Sequence, residues 1–179
     1  MDWKKIKEKI AFNGWRKIIQ KTFILPSGQE AVFDTLKGGD FVTIAAFTKS
    51  KEAILVKQYR PGPEQVLVSF PEGAIEKGES PMIAAARELE EETGYRAKKI
   101  VLLKNFRMAY RVDQRICVLA LDCEKTSVQQ LDSTEFIEIF TLSIEKFTAL
   151  LTNSADDSFT TVDAGFLALH FLERMEVGG

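Results

Sequence analysis

The sequence is poor in the residues that would suggest many common chemistries. Among its 179 residues it holds one histidine and two cysteines. No stretch approaches the roughly 18 consecutive apolar residues of a membrane span. The two cysteines, Cys117 and Cys123, fall in one strand-like stretch. That excludes a disulfide-stapled scaffold and fits buried free thiols in a reducing compartment. The lone His170 lies in an apolar C-terminal helical pattern and reads as a structural or surface residue, not a catalyst. The net charge is −2, so there is no basic excess of the kind that wraps nucleic acid, and nucleic acid is not the expected partner. The first ten residues, MDWKKIKEKI, are charged and lack an apolar segment, so no secretory leader is expected there. The expected location is the cytoplasm. Repeats and low-complexity stretches are also absent.

What is present can build a full core: 45% hydrophobic and 10% aromatic residues with 28% charged residues. The length fits one main domain, residues 41–179, preceded by a small appendage, residues 1–40. In the appendage, Met1 to Phe12 reads as a short helix. Trp15 to Leu25 and Gln29 to Thr35 read as a hairpin around Pro26-Ser27-Gly28. In the main domain the apolar run Phe41 to Thr48 reads as a central strand, followed by strands at Ala53 to Tyr59 and Val66 to Phe70. Later strands are expected at Ala97 to Phe106, Arg115 to Asp122 and Phe136 to Leu142. Helices are expected at Ser143 to Thr152 and Thr161 to Met175. Strands around a central helix, with helices at the end, suggest an α/β sandwich built on a mixed sheet.

The central helix is the most informative element. Ser80 is a good N-cap, Pro81 suits the first helical position, and Gly94 can end the helix in a left-handed conformation. Ile83, Ala86 and Leu89, with Ala84 and Ala85, form its expected buried stripe. Residues three and four apart share a helix face, so Glu88 neighbours Glu91 and Glu92, and Arg87 can pair with Glu91. Acids in the last helical turn oppose the helix dipole. A hard divalent cation would relieve both that conflict and the mutual repulsion, and Mg²⁺ commonly binds carboxylates together with substrate phosphates. Glu88, Glu91 and Glu92 are therefore candidate metal ligands.

The segment GAIEKGESPMIAAARELEEETGY resembles the Nudix box, G-x5-E-x7-R-E-U-x-E-E-x-G-U, where U is bulky and aliphatic. Gly73, Glu79, Arg87, Glu88, Leu89, Glu91, Glu92 and Gly94 fit the pattern, and Tyr95 replaces its last aliphatic residue. The wider order of elements is similar to the ADP-ribose and nucleoside-diphosphate-sugar pyrophosphatase branch of that family, from about residue 14 to residue 172. Gln58-Tyr59-Arg60 and the acidic loop residue Glu135 also match that branch. The resemblance implies a Nudix-type α/β/α sandwich with a small N-terminal β-subdomain used for homodimerisation. It implies Mg²⁺ or Mn²⁺, in two or more ions, and a small nucleotide substrate whose diphosphate is hydrolysed to a nucleoside monophosphate and a sugar phosphate.

The resemblance further implies that the Gly73 carbonyl joins the metal ligands, that Glu79 is an inner or outer partner, and that Glu135 is the general base. Asp132 is close enough in sequence to substitute, and another acid of the box is a further alternative. Arg87 is an orienting residue. Arg60 is a candidate phosphate contact. Tyr110 and Arg111, in the cluster with Arg107 and Arg115, are candidate substrate contacts, and Tyr110, Phe41 and Trp15 offer stacking faces. Two departures from the branch stand out: Pro71-Glu72-Gly73 replaces its usual Pro-Ala-Gly, and Tyr110 stands where it carries a proline. The competing readings are hydrolysis of dinucleoside polyphosphates or RNA 5′ ends, and a non-catalytic domain that senses a nucleotide.

Overall fold

The computed structural model describes residues 2–177. The chain divides into two compact units, Met1–Asp40 with Phe106–Arg115, and Phe41–Asn105 with Ile116–Gly179.

The first unit carries a three-stranded antiparallel sheet in the order β1 (Lys4–Asn13), β2 (Lys17–Ile24), β3 (Glu30–Lys37). The hairpin turn is closed by the Gly28 amide donating to the Leu25 carbonyl at 2.9 Å. The expected helix over Met1 to Phe12 is corrected: Lys4–Asn13 is a strand. Its Lys and Glu residues have good helix propensity, but β2 offers an open edge and β1 pairs along it from Lys4↔Ile24 to Asn13↔Lys17. Two register shifts, at Lys5/Lys7 and Ile10/Phe12, break the simple alternation that would have marked a strand. Trp3, Phe23 and Phe33 cluster, with ring centroids 5.2 to 6.0 Å apart. Residues 106–115 join this unit through backbone hydrogen bonds of Leu36 with Tyr110 and Val112, each 2.9 Å. The buried Asp113 carboxylate accepts from the Gly38 and Gly39 amides at 2.7 and 2.9 Å.

The second unit is a layered α+β structure with an eight-stranded mixed sheet. Its main path runs β11 (Ile137–Leu142), β5 (Ala53–Arg60), β4 (Phe41–Thr48), β10 (Gln114–Lys125), β8 (Tyr95–Arg96). Off that path, β6 (Gln65–Ser69) pairs with β5, β7 (Glu72–Ala74) with β4, and β9 (Lys99–Arg107) with β10. On β4, Val42, Ile44 and Ala46 pack with Ala84, Ala85 and Leu89 of helix α1 (Pro81–Thr93). Side chains alternate across a strand, so Phe47 faces the other way. There it meets Phe70, Phe147 and Phe159 in a cluster of rings 5.3 to 6.1 Å apart. Phe147 belongs to α2 (Ile144–Thr152), which packs with α3 (Val162–Val177). Helices on both sides of the sheet give the α/β/α sandwich.

Two details of this sheet prepare the site. The second half of β4 pairs with β5 (Ala46↔Ile54, Phe47↔Ala53), whereas its first half pairs with the short β7. This exchange brings the glycine turn alongside the central strand at Val42↔Gly73. Helix α1 is capped as its sequence dictates: Ser80 Oγ accepts from the Ile83 amide, Pro81 starts the helix, and Gly94 ends it at φ 71°. Its rotation, however, differs from the apolar count. Ile83 is 63% exposed and Ala86 is exposed, while Glu92 and Thr93 are buried with Ala84, Ala85 and Leu89. Thr93 tolerates this because its hydroxyl donates to the Leu89 carbonyl. Glu92 has no such simple explanation.

Neither cysteine forms a disulfide, both are buried, and burial pushes the Cys123 thiol up to about 12. His170 is exposed on α3. Among the described residues no helix is long and apolar enough to cross a membrane.

Candidate active site

The acidic helix, the glycine turn and the β4–β7 pairing converge. Arg87 is the hub. Its Nε and Nη2 donate to the two oxygens of Glu79, each at 3.0 Å. Its Nη1 donates to both Glu88 and Glu91 at 2.9 Å, and Nη2 also donates to the Ala74 carbonyl at 3.0 Å. The planar fork of arginine suits this task, because it offers five fixed donors to several carboxylates at once. The pairing holds Glu79 below the usual carboxylate range. Glu79 also accepts from the Glu76 amide at 3.0 Å, which folds the turn back towards the helix.

Gly73 is fixed by contact. A Cβ there would lie 1.8 Å from Glu88 Cδ and 2.2 Å from both of its carboxylate oxygens. The Glu88 carboxylate therefore rests directly on the glycine, and no other residue leaves room for it. Burial pushes the Glu88 carboxyl up, partly offset by Arg87.

Glu92 is the most unusual member. It is 7% exposed, and its Oε2 accepts from the Glu72 amide at 3.2 Å. Burial raises its carboxyl to about 8, with the negative charges of Glu88, Glu135 and Glu72 pushing in the same direction. Arg87 is already committed to Glu79, Glu88 and Glu91. A buried carboxylate among other acids is costly unless a cation joins it.

The sequence-predicted residues are placed unevenly. Glu79, Arg87, Glu88, Glu91 and Glu92 come together with Gly73, but Glu88 and Glu91 converge on Arg87. Among the described residues, no three His, Cys, Asp or Glu side chains form a ready-made metal cage. Glu135 is half-buried in a turn where its amide donates to the Asp132 carbonyl and its carboxylate accepts from the Asp132 amide. Its charge is felt at both Glu88 and Glu92, whereas Asp132 is exposed. Arg60 is half-buried at the end of β5. Tyr110 and Arg111 belong to the first unit. Tyr110 is exposed there, but the Arg111 side chain is 11% exposed and pairs with Asp113 at 3.2 Å. Arg107 is exposed, and Arg115 lies over the Phe106 ring at 4.6 Å. Phe41 is half-buried; Trp15 is 91% exposed and packs into no core.

Sequence reasoning missed three contributors. Thr43 donates to Glu72, Glu72 holds Glu92 through its amide, and Gln129 Nε2 donates to the Glu92 carbonyl at 2.7 Å and the Ile137 carbonyl at 3.1 Å. Two signals were available: a threonine inside the otherwise apolar FVTIAAF run, and Glu72 at the departure Pro71-Glu72-Gly73. A cavity of about 490 Å³ also opens beside the Glu135 turn, bounded by Lys57, Tyr59, Val66, Leu131 and Phe136. That volume falls in the usual small-ligand range of about 300–1,000 Å³.

Comparison with known proteins places the chain in a family. A family model described as the NUDIX domain matches residues 40–162. An ADP-ribose pyrophosphatase of Bacillus subtilis (strain 168) is 37% identical over 125 residues, covering 68% of this chain and 67% of that protein. An ADP-ribose pyrophosphatase of Saccharomyces cerevisiae is 33% identical over 153 residues, covering 75% and 65%. A crystal structure of an ADP compounds hydrolase superposes with a TM-score of 0.85 over 98% of this chain and 96% of that one, at 24% identity, and so shares the fold.

Proposed function

Because this chain belongs to the NUDIX family and is a Nudix hydrolase of the ADP-ribose pyrophosphatase type, we propose that it is a divalent-metal-dependent enzyme that cleaves the diphosphate of ADP-ribose or a related nucleoside-diphosphate sugar. The observation that carries this reading is the buried Glu92, surrounded by Glu72, Glu88 and Glu135 and not paired with Arg87. This donor set is all oxygen and carries excess negative charge, so it fits a hard cation such as Mg²⁺ or Mn²⁺. Glu88, Glu91, Glu92 and the Gly73 carbonyl are the proposed holders. When bound, the metal supplies charge neutralisation for the phosphates and lowers the pKa of water.

The protein's own groups supply the rest. Arg87 fixes the rotamers of Glu88 and Glu91 and ties them to the Glu79 turn. Glu135 is the proposed general base: its carboxylate takes a proton from water as the water oxygen attacks phosphorus. The P–O bond of the anhydride breaks, giving a nucleoside monophosphate and a sugar phosphate. Arg60 is the proposed phosphate contact. Tyr59 and Phe136, both well exposed at the 490 Å³ cavity, offer flat faces for a ring. A homodimer joined through the N-terminal sheet is part of the proposal, supported by the exposed Ile6, Ile10 and Phe12 on β1. A monomeric mass in light scattering would refute it.

The test of substrate class is a panel with product analysis: ADP-ribose, nucleotide sugars, dinucleoside polyphosphates and a 5′-triphosphorylated RNA, each with Mg²⁺ or Mn²⁺. The expected result is preferential release of AMP and ribose 5-phosphate from ADP-ribose, or the analogous pair from a nucleotide sugar. Faster cleavage of the polyphosphates or RNA would reassign the substrate. Tight nucleotide binding without turnover would make the chain a sensor.

A further inference from the structure

Thr43 is wholly buried in β4, in a run that is otherwise apolar from Phe41 to Phe47. Its Oγ1 donates to Glu72 Oε1 at 2.5 Å. Strand register places the two opposite each other, Thr43↔Glu72, one step from Val42↔Gly73. The Glu72 amide then donates to Glu92 Oε2 at 3.2 Å. One hydroxyl in the sheet is thus connected, through a single residue, to the buried carboxylate of the helix.

The arrangement anchors the Glu72 backbone through its side chain. Side chains alternate along β4, so Thr43 points away from the face on which Val42 and Ile44 meet α1, and Glu72, opposite it in register, points the same way. Loss of the Thr43 hydrogen bond would loosen Glu72 on this three-residue strand. Its backbone would follow, and with it the amide that holds Glu92 and the glycine on which Glu88 rests. The Thr43 hydroxyl holds the Glu72 side chain, and with it the amide, in place. We propose that Thr43, acting through Glu72, is a positioning residue that sets Glu92 and the Gly73 turn for the divalent cation. This inference rests on the metal-dependent reading given above.

The test is Mn²⁺ binding by the full chain, followed by electron paramagnetic resonance of the free ion, with thermal melting in parallel. Loss of a partner that orients a metal ligand typically costs about 10–100-fold in affinity. Thr43→Val is therefore expected to weaken Mn²⁺ binding by at least about tenfold, with kcat falling and KM for the nucleotide nearly unchanged. Thr43→Ser, which keeps the hydroxyl, is expected to restore binding to within about twofold of the native chain, because the donor is retained. Glu72→Ala is expected to behave like Thr43→Val, and it decides the matter if Thr43→Val does not fold. Native affinity in Thr43→Val or Glu72→Ala, or equal weakening in Thr43→Ser and Thr43→Val, would overturn the proposal. If the native chain itself binds no Mn²⁺, the metal-dependent reading fails first, and the two failures are told apart by that control.

Discussion

Glu92→Gln is expected to reduce turnover by on the order of a thousandfold while making the metal-free protein harder to unfold at alkaline pH. The first effect follows from replacing a charged oxygen ligand by a neutral amide in the cation site. The second follows from burial. Glu92 titrates at about 8 in the folded chain, against about 4.3 for a free glutamate. A raised carboxylate pKa means that the folded state holds the proton more tightly. The native chain is thus favoured at low pH and loses stability as pH rises from about 4.5 through 8, because the group must then ionise inside the fold. Gln carries no such group. The variant should match the native protein near pH 5 and exceed it near pH 9 by a few kcal/mol at most, on the order of the pKa displacement. Melting curves with a chelator at both pH values, alongside turnover with Mg²⁺, check both halves. Parallel melting profiles would show that Glu92 carries no buried-charge cost, and undiminished activity would remove it from the site.

Gly73→Ala is the second large effect. The added Cβ would overlap the Glu88 carboxylate at 1.8 to 2.2 Å, so either Glu88 or the β7 turn must move. Glu88 is also bound to Arg87, and β7 is paired to β4 through Thr43↔Glu72, so neither can give way alone. Overpacking of this kind costs about 1–3 kcal/mol of stability. Displacing catalytic groups by about 1 Å can cost about a hundredfold in rate. The variant should fold with a lowered Tm and lose at least that much kcat. Gly62→Ala is the matched control, since a Cβ there meets nothing within 4 Å; it should leave activity and Tm almost unchanged. Equal behaviour of the two variants would show that the Glu88–Gly73 contact is not needed.

The sequence was most legible where local signals agreed with the fold. The apolar run Phe41 to Thr48 is the central strand to the residue, and Ser80, Pro81 and Gly94 bound α1 as capping chemistry requires. Helical spacing was enough to pair Arg87 with Glu91 and to set Glu88 beside Glu91, whereas the Glu79–Arg87 pair emerged only in the fold. Legibility failed where tertiary context overrode local preference. Lys4–Asn13 is a strand only because β2 offers its edge. The buried face of α1 was misread because apolar Ile83 points out and charged Glu92 points in. That inversion is itself functional information, since a buried acid is retained against its own cost. Arg111 reads as one cation in an exposed cluster, yet it is turned onto Asp113, whose carboxylate is held by Gly38 and Gly39. A pairing across 75 positions leaves no local trace. The Thr43–Glu72 pair was hidden for the same reason: register with β7, a three-residue strand, creates it.

The most direct measurement is turnover of ADP-ribose by chelator-treated protein as Mg²⁺ or Mn²⁺ is returned. No AMP should form in the chelator, and release should rise to a plateau as the ion saturates the acids around Glu92. Unchanged turnover in the chelator, or none for any nucleoside-diphosphate sugar at saturating metal, would contradict a cation-loaded carboxylate centre acting on a diphosphate.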